Sequence, residues 1–314
     1  MSVGAHNLII ALVGFFVASA GLHSSQGALL AYDSFSYTND QNYYKSGGFG
    51  WGDAWGGLGV ASGLGYTNSG FCLASAGGSA SFRVTARAVD TGASGPFASK
   101  LDTNGYVGRE GTEIWFSYLV RPTQIDQNGA GIQFANAPTA NDGTGFALWL
   151  TNGQPQLVPG VPLILTNTYF VVEHVAFQTN DADLRTEFIN PIPGQSSPIG
   201  AQTTNTYLGN YSFKYVTLYN AFSQFNVDEL RIGDSYADVS PLPLIVLTNI
   251  QMSVGQFGFS FLSQGGKLHT VEATTNLITD TWHGITNIVG DGTTKALMFP
   301  ATAGEIRYFR LNTQ

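Results

Sequence analysis

The sequence of Tyr211–Val239, YSFKYVTLYNAFSQFNVDELRIGDSYADV, predicts two β-strands, the turn between them and the end of a large domain. Apolar and aromatic residues crowd positions 213–219 and recur at positions 225–232, and the intervening NAFSQ supplies a polar break. Two such runs around a break are typical of paired strands. We therefore expect an all-β domain that closes with this stretch.

The second of these strands does not alternate strictly. Regular alternation would place Phe225 and Val227 on one face of the strand. The next apolar residues, Leu230 and Ile232, would then face the opposite side. A β-bulge at Asp228–Glu229 would return all four to a single apolar face. The alternative is a strand that is buried on both sides.

The composition excludes several classes of partner. Charged residues make up 11% of the 314 residues, the formal net charge is -8, and Lys and Arg form no cluster. Binding to nucleic acids or to anionic membranes depends on such clusters, so we expect neither partner. Cys72 is the single cysteine, which excludes an intrachain disulfide and a cysteine-based metal site.

The N-terminus has the pattern of a secretory signal. Leu8–Leu22 is an apolar run that precedes the small-residue zone HSSQGA, although no Lys or Arg precedes the run. We assign residues 1–27 to a signal peptide, with cleavage after Gly27 or Ala28. The mature protein is then secreted, extracellular or in the cell envelope, with no membrane insertion. An uncleaved anchor is the alternative, but a membrane span normally needs about 20 apolar residues.

The remaining chain divides into two predicted domains. Short alternating strands separated by Asn, Asp, Gly and Pro turns fill residues 28–240, and no helical period intervenes. Pro241 and Pro243 disfavour regular strand pairing, so residues 241–249 are predicted to be a linker. Residues 250–314 contain further short strands and predict a small antiparallel β-domain.

Several phrases resemble the laminin-G-like or concanavalin-A-like jelly rolls of secreted bacterial proteins. They are the opening LLAYDSFSYTND, the strand Tyr169–Phe177 and the closing VDELRIG…ADVSP. VEATTNL…TWHGI and YFRL, within residues 250–314, resemble a small Ig-like or fibronectin-like domain. The resemblance implies an all-β fold, an antiparallel jelly-roll β-sandwich with a second, small β-sandwich domain. It also implies a polysaccharide or cell-surface glycan as the partner.

The residues favour binding over catalysis. Jelly-roll glycoside hydrolases carry a Glu-x-Asp-x-Glu strand, and none of the seven glutamates has Asp two residues on. His174 beside Glu173 could bring titratable groups into a groove, but we favour a hydrogen-bonded structural pair. We therefore expect a non-catalytic protein that binds carbohydrate or a surface polymer. The alternatives are a polysaccharide-degrading hydrolase or lyase and a structural or adhesive envelope protein.

Aromatic residues in a glycine-rich loop form the candidate ligand site: Tyr43, Tyr44, Trp51 and Trp55. Flat rings beside neutral hydrogen-bonding groups suit the faces of pyranose rings. The same rings could instead fill the edge of the sandwich, and we favour this packing interpretation. Asp142, in NDGTGFALWL, partly matches the Asp-Gly-x-x-Phe strand of legume-type lectins, whose Asp binds sugar hydroxyls, although turn chemistry also explains it.

No cofactor is predicted. Asp181 and Asp183 could supply oxygen ligands to Ca²⁺, but such a site needs about six ligands. A solvated hairpin turn explains the two aspartates equally well.

Overall fold

The computed structural model describes residues 28–37, 44–56, 59–68, 71–74, 79–81, 84–124, 130–138, 146–150, 156–220, 224–240, 245–253, 255–263, 267–277, 281–291, 293–300 and 307–313. The chain forms two compact units, one within Ser25–Leu244 and one within Ile245–Gln314. None of the helices in the described ranges is long and apolar enough to cross a membrane. The predicted signal peptide, residues 1–27, lies outside the described residues.

The larger unit consists mainly of β-strands. Its first strands are β1 (Leu29–Asp33), β2 (Tyr44–Lys45), β3 (Trp55–Gly56), β4 (Gly59–Ala61), β5 (Gly65–Asn68), β6 (Phe71–Ala74), β7 (Ser79–Ser81), β8 (Val84–Ala88) and β9 (Glu113–Gln124). The others are β10 (Ala130–Ala135), β11 (Phe146–Leu150), β12 (Gln156–Val158), β13 (Val161–Pro162), β14 (Tyr169–Ala176), β15 (Asp183–Ile189), β16 (Thr203–Gly209), β17 (Tyr215–Asn220) and β18 (Gln224–Gly233). A 3₁₀ helix spans Ala98–Lys100, and helix α1 (Tyr236–Val239) begins with a capping box between Ser235 and Asp238.

Two antiparallel sheets of the larger unit pack face to face. Within the described strands, the larger sheet has the order β16-β15-β14-β9-β18-β7-β4, and β1 also pairs with β18. The smaller sheet has the order β11-β10-β17-β8. The ring of Phe116 in β9 lies 4.2 Å from that of Phe134 in β10, centroid to centroid, so aromatic contacts join the layers. The predicted all-β antiparallel sandwich is confirmed.

Strand β9 separates the two faces of the larger sheet. Ile114, Phe116 and Val120 are buried in the main core and define what we call the inward face. Leu119 points to the outward face, where it packs in a second cluster with Tyr236 of α1. The short helix therefore covers part of the outward face, and the smaller sheet packs on the inward one.

The bulge predicted in β18 is confirmed. The register against β9 shifts between Asp228 and Arg231, and Glu229 has a φ of 53°. The extra residue returns the strand to the same face. The apolar residues of the strand are consequently all buried: Phe225, Val227, Leu230 and Ile232.

The smaller unit contains two antiparallel sheets in its described part, with the orders β19-β20-β23 and β22-β21-β24. Their strands are β19 (Thr248–Ser253), β20 (Gln256–Leu262), β21 (Leu268–Thr274), β22 (His283–Val289), β23 (Thr294–Pro300) and β24 (Tyr308–Thr313). Phe261 and Val271, one from each sheet, lie in a shared core, as the predicted second β-domain requires. Ile245 and Leu247, within the predicted linker 241–249, pack against this core.

Candidate functional site

Polar side chains replace apolar ones at one end of the inward face of the larger sheet. The register places Glu173 of β14 directly opposite Glu187 of β15. On the next pair of strands, Arg185 lies opposite Tyr207 of β16, and Glu187 lies opposite Asn205. Directly opposed residues in an antiparallel pair point to the same side of the sheet. We call these five side chains the polar face.

The polar face borders the hydrophobic core directly. Along β15 the period of two leads from Arg185 and Glu187 to Ile189, which is buried in the main core. Along β14 it leads from Glu173 to Val175, which is buried in the same core. Charged residues thus occupy inward positions that the alternation pattern would assign to apolar ones. Such local departures from a consistent pattern are concentrated at functional sites.

Two buried carboxylates share one guanidinium. Oε1 of Glu173 accepts a hydrogen bond of 2.8 Å from the Tyr118 hydroxyl, and Oε2 lies 3.0 Å from Nε of Arg185. The contacts of Glu187 are longer. Its Oε1 lies 3.7 Å from Nη2 of Arg185, and its Oε2 accepts from the Tyr207 hydroxyl at 3.4 Å. Glu187 is therefore buried with weaker compensation than Glu173.

This environment shifts the protonation of the polar face. Burial and the Glu173 carboxylate raise the pKa of Glu187 to about 7, against the opposing effect of Arg185. Burial lowers the pKa of the Arg185 guanidinium, but the two carboxylates raise it, and the net shift is upward. Burial and the charge of Glu173 also raise the pKa of Tyr118 well above its usual range. A buried acid that titrates near neutral pH is a frequent property of functional sites.

The polar face reaches solvent at β16, the edge of the larger sheet among the described strands. Asn205 and Tyr207 are half-buried there. Nδ2 of Asn205 is itself buried, and no described residue accepts a hydrogen bond from it. Buried donors are almost always paired in native proteins, so this unpaired amide beside the edge strand is a departure of the kind that functional sites show.

Both ends of β16 are flanked by other parts of the larger unit. The Thr203 hydroxyl donates to the carbonyl of Pro159, in the turn between β12 and β13, at 3.4 Å. At the other end, a Cβ added to Gly209 would lie 2.8 Å from the ring of Tyr211. The Tyr211 ring therefore packs directly against the backbone of Gly209, and a Cβ at this position would require the ring to shift. The polar face is thus bounded by the β12–β13 turn and by Tyr211.

A second buried ion pair has a different character. Oδ2 of Asp33 accepts from Nη1 of Arg87 at 2.5 Å, from Nε1 of Trp55 at 2.7 Å and also from the Tyr37 hydroxyl. Its Oδ1 accepts from the backbone N–H of Phe35 at 2.8 Å. Because short hydrogen bonds satisfy both oxygens, this cluster has the character of a structural element. The carboxylate of Glu187, in contrast, has contacts of 3.4 and 3.7 Å, so it is less well compensated than that of Asp33.

The ligand-binding role predicted for Trp55 needs correction. Its side chain is 0% exposed and its ring packs 5.8 Å from that of Phe35, so no face is open to a sugar. Trp51 is half-buried, donates its indole N–H to the carbonyl of Tyr32 at 3.1 Å, and lies 4.9 Å from the guanidinium of Arg87. Both contacts fix the ring to the sandwich, in line with the packing interpretation.

Three predicted ligand residues cannot be placed in this way. Tyr43 and Asp142 lie outside the described residues, and for Tyr44 only the backbone, at the start of β2, is described. Their roles in ligand binding stay predictions.

The predicted pair of His174 and Glu173 is wrong, because adjacent residues of a strand face opposite sides of the sheet. Nε2 of His174 lies 2.9 Å from Oε2 of Glu113 on the outward face. The imidazole also stacks on Trp115, with 4.2 Å between the ring centroids. Glu173 lies on the inward face.

The two aspartates considered for Ca²⁺ serve the turn after β14. Oδ1 of Asp183 accepts from the N–H of Gln178 and Oδ2 from the N–H of Tyr211, while Asp181 accepts from the N–H of Ala182. Across the described ranges, no three His, Cys, Asp or Glu residues come together to hold a metal ion. A role for them in Ca²⁺ binding stays a prediction.

The patterns considered in the sequence do not predict the polar face, although one signal for it is present. Arg185 is the single Lys or Arg between residues 122 and 213, and it stands two residues from Glu187 in a strand. This spacing places both charges on one side of the strand, together with the apolar Ile189. Their partner Glu173 could not be identified in advance, because it depends on the register between β14 and β15.

No protein-family model and no curated protein matches this chain. Among solved structures, the chain is similar to an endo-β-1,4-glucuronan lyase from the fungus Trichoderma reesei, with a TM-score of 0.38 and 12% identity. It is also similar to domain 4 of AbnA, a GH43 extracellular arabinanase from Geobacillus stearothermophilus, with a TM-score of 0.34 and 13% identity. Each match covers 69% of this chain and 100% of the other. Likenesses at this level identify no function.

Proposed function

We propose that the protein is a secreted polysaccharide-binding protein and that a glycan chain lies along β16, where the polar face of its larger β-sandwich reaches solvent. One observation carries the proposal. The buried amide nitrogen of Asn205 has no acceptor among the described residues, and it lies beside the half-buried Tyr207 at the edge of the sheet. A ligand that lies along this edge could contact the tyrosine ring, and a rotation of the half-buried Asn205 side chain would bring its unpaired amide to a ligand oxygen.

The chemistry of a sugar chain fits these groups. Sugar hydroxyls accept from amide N–H groups, and the C–H face of a pyranose packs on an aromatic ring. Asn205 and Tyr207 stand two residues apart on β16, which corresponds to about 7 Å along a strand, roughly the size of one sugar unit. Because β16 has no further neighbour among the described strands, a long polymer could extend past the edge.

The N-terminal sequence supports an extracellular site of action. The apolar run Leu8–Leu22 and the small residues that follow it have the pattern of a cleaved secretory signal. A chain in which only 11% of the residues are charged and which is rich in Gly and neutral polar residues also suits contact with a hydroxyl-rich polymer.

Binding to a panel of polysaccharides, measured by affinity electrophoresis and calorimetry, tests the proposal. Asn205→Ala and Tyr207→Ala should each weaken binding of the best ligand about tenfold or more, since each removes a direct contact. Leu208→Ala is the matched control, because Leu208 lies on the same strand, faces the opposite side and is 71% exposed. Unchanged binding by both polar-face variants would contradict the proposal.

Glycan cleavage is a second candidate, favoured by one specific observation. A general acid works best when its pKa lies near the operating pH, and the pKa of Glu187 is raised to about 7 beside a second carboxyl group, Glu173. The release of reducing ends or of unsaturated products from the bound polysaccharide would favour an enzyme. In that case Glu187→Gln should abolish the release while binding is retained.

A further inference from the structure

We infer that the polar face selects uncharged polysaccharides and rejects polyuronates, an inference that rests on the proposed function and specifies its ligand class. The basis is the arrangement of charge. Two carboxylates, Glu173 and Glu187, face each other across β14 and β15 with one guanidinium, Arg185, against both. When both are ionised, the cluster carries one excess negative charge next to the half-buried Asn205 and Tyr207 of β16.

Burial makes this excess charge effective. Glu173 is 0% exposed and Glu187 is 1% exposed, so water and salt screen them far less than surface carboxylates. The Tyr207 hydroxyl, which lies on the open strand, is hydrogen-bonded to Glu187 at 3.4 Å. A ligand group that contacts Tyr207 is therefore separated from the charge by a single side chain, close enough for a repulsion of the order of RT or more.

Arg185 is already engaged by protein groups. Its Nε and Nη2 face Glu173 and Glu187, and the Tyr207 ring lies 4.5 Å from its guanidinium carbon. Bidentate recognition of a uronate through Nε and Nη2 would require that edge of the guanidinium to be free, and the two carboxylates occupy it. Arg185 is also the single Lys or Arg among residues 122–213, the stretch that builds strands β10 to β16.

The other groups that face Glu187 bring no positive charge. Tyr118 of β9, Asn205 and Tyr207 of β16 are uncharged at neutral pH, and Asp183 at the start of β15 adds a further acid. A uronate placed on β16 would thus meet a net negative charge, because the single guanidinium of Arg185 balances one of the two carboxylates. A neutral sugar meets only hydrogen-bonding groups, so its binding carries no such electrostatic penalty.

The test compares matched ligands. The best-binding polysaccharide from the panel and the same polymer with its primary hydroxyls oxidised to carboxylates, or its uronate-bearing counterpart, are titrated into the full secreted protein at pH 8. We expect the oxidised polymer to bind about tenfold or more weakly, because at pH 8 Glu187 carries its charge beside Glu173. When the same two polymers are titrated into the wild type at pH 5.5, their affinities should differ less, since Glu187 is then protonated and the uronate is not.

A charge-neutral variant isolates the cause. Glu187→Gln keeps the shape of the side chain and should bring the ratio of the two dissociation constants at pH 8 close to the value at pH 5.5. Glu113→Gln is the matched control, because it changes the net charge equally but lies on the outward face of the same sheet. Glu113→Gln should keep the wild-type ratio of the two dissociation constants at pH 8.

The outcomes separate the two proposals. Equal or tighter binding of the oxidised polymer at pH 8, or a polyuronate as the best ligand of the panel, overturns the selection of uncharged ligands and leaves polysaccharide binding intact. If no polysaccharide binds, the proposed function fails, and this inference fails with it. A ratio that does not change with pH also overturns the role of Glu187, whether or not the Glu187→Gln variant folds.

Discussion

Glu173 and Glu187 lie directly opposite each other on β14 and β15, both buried, with the Arg185 guanidinium against both. Direct opposition of two like charges on one face of a sheet is normally destabilising. Removing charges from water costs free energy, and one guanidinium between two carboxylates can offset this cost for only one of them. The polar face therefore reduces stability at high pH, as functional sites often do.

The stability of the larger unit should depend on the protonation of Glu187. Its pKa is about 7 when folded against an ordinary value of 4.5, so the folded state binds the proton more tightly. The stabilisation that the bound proton gives is fully present below the unfolded-state pKa of Glu187, 4.5, and is lost as the pH rises through the folded-state pKa of about 7. Between these values the free energy of unfolding should fall by about 1 to 3 kcal/mol.

Urea unfolding at a series of pH values measures this effect. Glu187→Gln should remove most of the fall, because the glutamine does not titrate, while Glu113→Gln on the outward face should retain it. If the free energy of unfolding of Glu187→Gln falls with pH as steeply as that of the wild type, another group causes the pH dependence.

Trp55→Ala should destabilise the larger unit by about 3 to 5 kcal/mol, because the ring is fully buried and its indole N–H bonds to Asp33. Trp51→Ala should lower the free energy of unfolding by a smaller amount, since Trp51 is half-buried. The free energy of unfolding in urea measures both, and glycan binding by the folded Trp51→Ala variant tests the remaining role of the loop. A cost below about 1 kcal/mol for Trp55→Ala would contradict its place in the core.

The bulge at Asp228–Glu229 makes a specific prediction about Leu230. Because the bulge turns Leu230 into the core, Leu230→Ala should destabilise the protein by about 2 to 5 kcal/mol. Leu208→Ala, at an outward and mostly exposed position, should change stability by less than about 0.5 kcal/mol. Similar costs for the two substitutions would mean that β18 pairs regularly and that Leu230 faces away from the core.

The two compact units should fold separately, because each contains its own apolar cluster. Residues 28–240 expressed alone should give a cooperative thermal transition and dispersed amide resonances. In the full chain, Phe261→Ala should lower only the transition of the smaller unit, since Phe261 lies in that unit's core. A fragment that stays unfolded would show that the units depend on each other.

Export should leave a new N-terminus at Ala28 or Leu29. The prediction follows from Leu8–Leu22 and the small residues after it. Mass spectrometry of the protein recovered from the medium or the envelope measures the terminus directly. Recovery of only the full-length chain in the membrane fraction would support an uncleaved anchor instead.

Local patterns in the sequence were sufficient to predict the fold class and the bulge. The side chains of a strand alternate with a period of two, so a strand's own residues show which face is apolar and where the alternation changes. This is why Phe225 and Leu230 indicated an irregularity at Asp228–Glu229 before any pairing was known. Turn residues and the absence of a helical period indicated the all-β class in the same way.

The candidate site depended on contacts that are distant in sequence. Adjacency suggested that His174 would pair with Glu173, yet the two point to opposite faces, and the partner of His174 is Glu113. Glu173 and Glu187 meet only because β14 and β15 pair in one particular register, and a shift of a single residue would turn one of them to the other face. The sequence by itself therefore determined which residues form strands and which strand faces are apolar. The tertiary structure decided which charges share a face, because burial and cross-strand register depend on the packing of the whole sheet.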